Sequence, residues 1–91
     1  MVLYKTYPSL DLHGMDKEFA CFKVKEFLED SSKLGYSYVI IVHGIGQGIL
    51  RESVQKYLKK DKHVLEYKLD FMNPGCTIVH LKENIDKKTK K

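Results

Sequence analysis

The sequence contains no long hydrophobic run and only two cysteines, and these absences exclude whole classes of protein. Its longest uninterrupted apolar stretch is the segment 38–42, whereas a transmembrane helix needs about 20 such residues. The N-terminus lacks the basic start and apolar stretch of a signal peptide, so we expect a cytoplasmic protein that does not enter a membrane. Cys21 and Cys76 are too few to build a disulfide framework and are expected to be reduced thiols in the core.

Two common phosphate-binding fingerprints are missing as well. The segment from His43 to Gly48 has glycine at every second position. The Rossmann pattern requires glycine where this chain has Ile49, and no Lys-Ser or Lys-Thr pair follows the loop as it does in a P-loop. A mononucleotide site of either kind is therefore not expected here.

The positive charge is concentrated at the C-terminus. The formal net charge is +4, and it equals the contribution of Lys87, Lys88, Lys90 and Lys91 alone, so the remainder of the chain is close to neutral. Segment 83–91 is expected to be a basic, disordered tail. Such a tail either contacts nucleic acid or only keeps the protein in solution, and the sequence leaves both readings open.

Hydrophobic periodicity predicts strands and helices in the order β-α-β-α-β-β. The predicted strands are 10–14, 36–42, 64–71 and 77–81, and the predicted helices are 16–34 and 49–60. In the third strand, Tyr67, Leu69 and Phe71 alternate with polar residues and are expected to share one face. Pro8 argues against a central strand at the start of the chain, so 1–9 is expected to be an arm or an edge strand.

These elements predict an α/β protein of the α+β two-layer type. Each helix has a single apolar stripe, which suits helices packed on one face of a sheet. The first two connections should be right-handed and give parallel strands. The last hairpin adds an antiparallel strand, so we expect a mixed four-stranded sheet with two helices.

The residues suited to chemistry follow the first two strands. Asp11 and His13 alternate onto one face at the end of the first strand, and His43 follows the second. Parallel strands end at the same edge of a sheet, so these three side chains are expected to lie close together. Imidazole suits proton transfer near neutral pH. The Asp11 carboxylate could orient a ring or act as ligand to a divalent metal, Mg²⁺ or Mn²⁺.

The glycine loop and the helix after it supply groups that bind an anion. Glycines let another molecule approach the backbone closely, and the helix points unpaired N–H groups at the loop. Arg51 in the first turn opposes the helix dipole at a cost of about 0.3–1 kcal/mol. A bound phosphate would explain this arginine, and so would an ion pair with Glu52 or Asp70. Together with Asp11, His13 and His43, the loop predicts cleavage of a phosphodiester.

Three other interpretations of the same residues stay open. Asp11 and His13 could form only a hydrogen bond that stabilises the turn. The carboxylate and the two histidines could hold a structural zinc ion, although such sites usually have four ligands that include cysteine. The glycine loop could bind a small phosphorylated molecule instead of a polymer.

Three blocks of sequence resemble the Smr (small MutS-related) domain. They are Leu10–Gly14 (LDLHG), His43–Arg51 (HGIGQGILR) and Gly75–Leu81 (GCTIVHL), in the order that the family has them. The resemblance covers the predicted domain 10–82. It implies a βαβαββ fold like the C-terminal domain of translation initiation factor three.

The resemblance also implies a function and a set of site residues. Smr domains bind nucleic acid, and many are endonucleases that nick DNA or cut structured RNA, some of them on the ribosome. The block tied to activity supplies Asp11 and His13, with His43 as the second candidate histidine. The residues implied in nucleic-acid binding are Gly14, Gly44, Gly46, Gln47, Gly48 and Arg51.

One position departs from the family pattern. Members commonly carry Lys or Arg where this chain has Ile45, and the missing charge favours an alternative function as a non-catalytic nucleic-acid- or ribosome-binding module. The ATPase and clamp regions of the long MutS-type members are absent from the sequence, so we expect a stand-alone version. An exposed edge near Tyr4 could pair with a second chain, which predicts a monomer or a weak dimer.

Overall fold

The chain forms a four-stranded sheet with two helices. The computed structural model describes residues 7–46 and 48–83. Its elements are β1 (Ser9–Asp11), α1 (Lys17–Lys33), β2 (Tyr38–Val42), α2 (Ile49–Leu58), β3 (Val64–Leu69) and β4 (Cys76–Leu81). The predicted order is confirmed. Expectations for the start of the chain, for Gln47 and for the lysine-rich tail from residue 84 onward lie outside the described residues.

The strands lie in the order β1-β2-β4-β3. Strand β1 is parallel to β2, and β4 is antiparallel to both β2 and β3. The predicted mixed sheet is therefore confirmed. Strand β3 runs in the same direction as β2, as two crossover connections require, but β4 separates the two.

One hydrophobic core joins the helices to the sheet. Its fully buried side chains come from both layers: Leu12, Ala20, Val24, Leu28, Val39, Ile41, Val54, Leu58, Val79 and Leu81. In α1 the buried positions follow one another every four residues, which is the spacing of a single helix face. Burial of these side chains fixes α1 and α2 on the sheet and so fixes the loops that connect them.

Strand β2 begins two residues later than the periodicity predicts, because the backbone just after α1 forms hydrogen bonds that close the helix. Gly35 has φ +87°, and its N–H donates to the Ser32 carbonyl while the N–H of Tyr36 donates to the Ser31 carbonyl. This is the Schellman arrangement that closes a helix at a left-handed glycine. Tyr36 therefore belongs to the helix end and not to the strand.

Strand β3 ends two residues earlier than predicted, and the placement of Phe71 in it is wrong. The Asp70 carboxylate accepts from the N–H of Met72 at 2.9 Å, and the N–H of Asn73 donates to the Asp70 carbonyl. These bonds turn the chain at Asp70, which is the Asx-turn behaviour of aspartate. As a result the side chain of Phe71 is 94% exposed.

Three connecting segments meet at one edge of the sheet, which we call the carboxyl edge because β1, β2 and β3 all end there. They are the turn after β1, the glycine loop after β2 and the hairpin loop 70–75. The hairpin loop is joined to the glycine loop directly, since the Gly75 carbonyl accepts from the N–H groups of both His43 and Gly44. The chemistry-bearing residues of the sequence are concentrated at this edge.

Both cysteines are free among the described residues. Cys76 is buried and Cys21 is half-buried, and burial raises the pKa of each thiol. Both thiols are therefore uncharged at neutral pH, and their reduced state stays a prediction. Within residues 7–46 and 48–83, neither helix has the length and apolar character that crossing a bilayer requires.

Candidate functional site at the carboxyl edge

Asp11 and His13 form an ordered pair at the end of β1. The Asp11 carboxylate accepts from the backbone N–H of His13 at 3.0 Å and from its ring Nδ1 at 3.1 Å. These hydrogen bonds hold the pKa of the Asp11 carboxyl below its usual range. Because a carboxylate only accepts, the proton of a neutral His13 ring lies on Nδ1, and Nε2 is left as the basic nitrogen. No residue in the described part of the chain bonds to that Nε2.

The parallel pairing of β1 with β2 brings this pair to the glycine loop, as predicted. Asp11 pairs with Val42, and the N–H of Leu12 donates to the Val42 carbonyl at 2.7 Å. A cavity of about 320 Å³ opens at this point. Its lining consists of His13, Gly14, His43, Gly44, Ile45, Gly46, Gly48, Ile49, Leu50 and Arg51.

His43 is buried beneath the glycine loop, and both its ring nitrogens are engaged. Nδ1 lies 3.0 Å from the Gly44 carbonyl, so Nδ1 carries the proton. Nε2 therefore accepts from the Thr77 hydroxyl at 2.8 Å, and Thr77 in turn accepts from the Gln55 amide at 3.2 Å. Burial, assisted by the nearby charge of Arg51, lowers the pKa of His43. The geometry suits a neutral ring that braces the loop, while its predicted catalytic role stays a prediction.

The buried His43 ring predicts a dependence of stability on pH. Its folded pKa lies below the unfolded value of 6.5, so the unfolded chain takes up the proton first as the pH falls. Stability that is fully present above about pH 7 is therefore lost below it, with a slope of at most about 1.4 kcal/mol per pH unit. Urea unfolding between pH 5 and 8 should show the loss, and the ring protons of His43 in NMR should titrate below pH 6.5.

A matched pair of substitutions isolates this effect. In His43→Gln the slope should shrink, because glutamine does not titrate. In His13→Gln it should stay, because the side chain of His13 is 79% exposed. An identical slope in the parent and in His43→Gln would assign the pH dependence to another group.

Arg51 projects from the first turn of α2 over Gly48. A Cβ atom added to Gly48 would lie 3.1 Å from the guanidinium Nη2, which shows how closely the side chain follows the loop. Neither Glu52 nor Asp70 forms an ion pair with it among the described residues. An ion pair with one of these carboxylates therefore does not explain the arginine at this end of the helix, and a bound phosphate is the remaining explanation.

The start of α2 is open to an anion. Gly48 is the N-cap with φ +83°, and no side chain caps the helix. The first N–H groups of a helix have no partner within it, and here the residues that carry them line the cavity together with Arg51. Gly44 also adopts a positive φ of +85°, a conformation that other residues rarely take.

The same hydrogen-bond geometry occurs a second time, away from the cavity. Asp61 accepts from the backbone N–H of His63 at 2.7 Å and from its Nδ1 at 2.9 Å. There the Tyr57 hydroxyl also donates to the carboxylate, and the Asp61 side chain is only 4% exposed. An Asp-x-His pair therefore also stabilises an ordinary turn, and what sets Asp11–His13 apart is its exposure and its cavity.

The donor set does not fit a resident metal centre. Over residues 7–46 and 48–83, no three His, Cys, Asp or Glu side chains come together in a way that would hold an ion. Asp11 offers one carboxylate oxygen that is not bonded to His13. A role for Asp11 as ligand to Mg²⁺ or Mn²⁺ stays a prediction, and no step below passes through a metal.

The predicted site residues thus come together around one cavity, with Asp11 behind His13 and Gln47 outside the described residues. Sequence reasoning missed Thr77 and Gln55, which fix the His43 ring. Thr77 belongs to the GCTIVHL block, so its position in that block was a usable signal. Nothing in the sequence distinguished Gln55 from other polar residues on the helix.

Comparison with known proteins gives matches over most of the described residues. The sequence profile of the Smr domain matches residues 10–82. The Clostridium perfringens protein named endonuclease MutS2 is 41% identical over 70 residues, which cover 77% of this chain and 9% of that protein. The Clostridium botulinum protein of the same name is 42% identical over 76 residues, or 80% of this chain and 10% of that one. The chain thus spans about a tenth of the length of these relatives.

Solved structures show the same fold. The Smr domain of Thermus thermophilus MutS2 superposes with a TM-score of 0.81 at 31% identity, over 82% of this chain and 98% of that domain. YdaL, a stand-alone small MutS-related protein from Escherichia coli, gives a TM-score of 0.80 at 26% identity, over 86% of this chain and 69% of that one. The fold of this chain is therefore shared with known Smr domains.

Proposed function

This chain belongs to the Smr domain family, and we propose that it binds nucleic acid at the carboxyl edge and cleaves a phosphodiester bond there. One observation carries the proposal: the unpartnered Nε2 of His13 belongs to a ring that lines the cavity formed by the glycine loop and Arg51. A base and an anion-binding surface are thus adjacent. The name endonuclease, borne by relatives at 41% identity, supports the same reaction class.

The residues divide the work of the reaction. The phosphate lies against the first N–H groups of α2 and the Arg51 guanidinium, which stabilise the charge that develops on its oxygens. His13 Nε2 takes the proton of the attacking oxygen, which is a water or, in RNA, the 2′-hydroxyl. The phosphorus–oxygen bond to the leaving nucleotide then breaks, and the leaving oxygen acquires a proton from solvent.

Asp11 acts through His13. Its carboxylate keeps the ring proton on Nδ1 and stabilises the imidazolium that forms when Nε2 gains the second proton, as in other carboxylate–histidine pairs. His43 has no free nitrogen for a proton, so we assign it to positioning: its Nδ1–H holds the Gly44 carbonyl and thereby the loop. Loss of His43 should affect binding and folding before it affects proton transfer.

One observation favours the alternative function, a binding module without catalysis. Ile45 lies at the cavity with 64% of its surface exposed, at a position where the resemblance to the family leads us to expect Lys or Arg. A neutral loop attracts the phosphate backbone less strongly. In this alternative the Asp11–His13 pair only shapes the turn, as Asp61–His63 does elsewhere.

Cleavage and binding measured side by side test the proposal. Supercoiled plasmid and a structured RNA are incubated with the parent chain and Asp11→Ala, in Mg²⁺, Mn²⁺ or EDTA, and binding is followed by fluorescence anisotropy. We expect cleavage of at least one substrate by the parent and its loss in Asp11→Ala. Loss of cleavage in EDTA would show that the reaction requires the predicted divalent metal. RNA products with a cyclic phosphate end, formed in EDTA, would show that the histidine alone drives cleavage of RNA.

Other results of this experiment would contradict the proposal or favour the alternative function. Equal activity in the parent and Asp11→Ala would identify a contaminant and remove the catalytic claim. Binding without cleavage would establish the alternative module. An absence of both would overturn the proposal. Ribosome binding and weak dimer formation stay predictions from the sequence.

A further inference from the structure

The hairpin loop 70–75 presents an aromatic ring to solvent. Phe71 is 94% exposed and Met72 is 80% exposed, more than any other large hydrophobic side chain among the described residues. Scattered apolar residues on a surface are ordinary. Two adjacent apolar side chains that are almost fully exposed at the end of a loop are less usual, and such a patch can mark a binding site.

The loop holds the ring outward through its own hydrogen bonds. Asp70 turns the chain by accepting from the N–H groups of Met72 and Asn73. Asn73 then accepts from the N–H of Gly75 through its side chain at 3.1 Å and from the N–H of Cys76 through its carbonyl at 3.0 Å. This framework is made of backbone and short polar side chains, and Phe71 takes no part in it.

The loop is also fixed next to the proposed phosphate site. The Gly75 carbonyl bonds to the N–H groups of His43 and Gly44 at 2.9 and 3.0 Å, and a Cβ on Gly75 would lie 3.5 Å from Gly44. Asp11, Val42 and Cys76 pair in one row across β1, β2 and β4. Asp70, the residue after β3, continues this row, because its N–H donates to the Cys76 carbonyl. Strands are about 4.8 Å apart, so Asp70, the neighbour of Phe71, lies roughly 14 Å from Asp11.

From this placement we propose that Phe71 stacks on the base of an unpaired nucleotide close to the phosphate bound at the glycine loop. The inference rests on the proposed function and specifies its substrate as single-stranded or locally opened nucleic acid. A distance of roughly 14 Å corresponds to about four stacked nucleotides of one strand, and to fewer when the strand is extended. In an intact duplex the bases are hidden in the stack, so only an unpaired one offers its face to the ring.

Ile45 points to the same class of substrate. It lies at the cavity and is 64% exposed, so the carboxyl edge carries apolar side chains on both the glycine loop and the hairpin loop. A surface that reads only phosphates is built from cations. Bases and sugars offer the apolar contacts that Ile45 and Phe71 can use, and a duplex backbone does not.

The test compares a strand that has bases with one that lacks them. Fluorescence anisotropy in EDTA measures binding of an unstructured DNA oligonucleotide and of the same backbone with abasic sites. Stacking on one base is worth a factor of about 5 to 150 in affinity. We expect the affinity of Phe71→Ala to fall by that factor for the oligonucleotide with bases and to equal that of the parent for the abasic strand. Phe71→Trp should retain the affinity of the parent for both. Phe22→Ala removes a ring on α1 that is 53% exposed and should change neither affinity.

The outcomes separate this inference from the proposed function. Binding that is weakened by Arg51→Ala but equal in the parent and Phe71→Ala would overturn the stacking role and leave the phosphate site intact. In that case the exposed ring of Phe71 would be assigned to contact with another protein. An equal affinity of the parent for strands with and without bases would also overturn it. If the parent binds neither strand, the stacking inference is overturned, while the proposed function is still decided by the plasmid and the structured RNA.

Discussion

Replacement of His13 by alanine is expected to lower the rate of phosphodiester cleavage about 100- to 10,000-fold, the usual contribution of a positioned base. The reason is that Nε2 is the basic nitrogen at the cavity that is left without a partner among the described residues. The anion-binding groups remain in place, so affinity for uncleaved nucleic acid should change little. Single-turnover cleavage and anisotropy on the same preparation measure the two quantities.

The chain provides a matched control in His63. That histidine has the same backbone and ring hydrogen bonds to a carboxylate two residues earlier, but it lies at the opposite end of the sheet. His63→Ala will cost some stability, because its side chain is only 20% exposed, but it should leave the cleavage rate of the folded protein within about twofold of the parent, since it lies away from the cavity. Equal losses in both variants would show that the substitutions act through folding and not through chemistry.

The second large effect is expected from Gly48→Ala. A side chain at φ +83° costs about 1–2 kcal/mol of stability, and its Cβ would lie 3.1 Å from the Arg51 guanidinium. The flexible arginine must shift by a few tenths of an ångström to make room, which weakens its proposed charged hydrogen bond to phosphate. Such a bond contributes about 1.5–3 kcal/mol, so affinity for nucleic acid should fall, by at most roughly 150-fold.

Gly35→Ala separates the two effects of this substitution. Gly35 has φ +87° and closes α1 far from the carboxyl edge, so it carries the same backbone cost without an arginine to displace. Both variants should lose similar unfolding free energy in urea, and only Gly48→Ala should lose affinity. In an Arg51→Ala background, Gly48→Ala should have no further effect on binding. A further loss there would mean that the loop backbone, and not the arginine, makes the contact.

Local patterns were sufficient to predict most of the fold. The spacing of apolar residues predicted two helices, each with one buried face. The alternation of strands with helices predicted the parallel pairing of β1 with β2. That pairing placed His13 and His43 at one cavity. The blocks around Asp11 and Gly44 then pointed to the family, because their glycines and polar residues serve the site and not the core.

The remaining features depend on contacts between residues distant in the chain. Periodicity could not show that Tyr36 completes the end of α1 or that Asp70 turns the chain before Phe71. It also could not separate His13 from His43. Both follow a strand, but only the structure shows that Thr77 occupies one nitrogen of His43, whereas His13 keeps an open one.

The position of β4 has a consequence for how the protein is made. It is the last strand among the described residues, yet it lies between β2 and β3 and joins them. Until residues 76–81 have left the ribosome, β1 and β2 have no link to β3, and the entropy of closing those long loops is not yet repaid. Gly75, which holds the backbone of the glycine loop, arrives with the same segment. A nascent or truncated chain therefore has neither a complete sheet nor a formed cavity, and the function proposed for that cavity requires the complete fold.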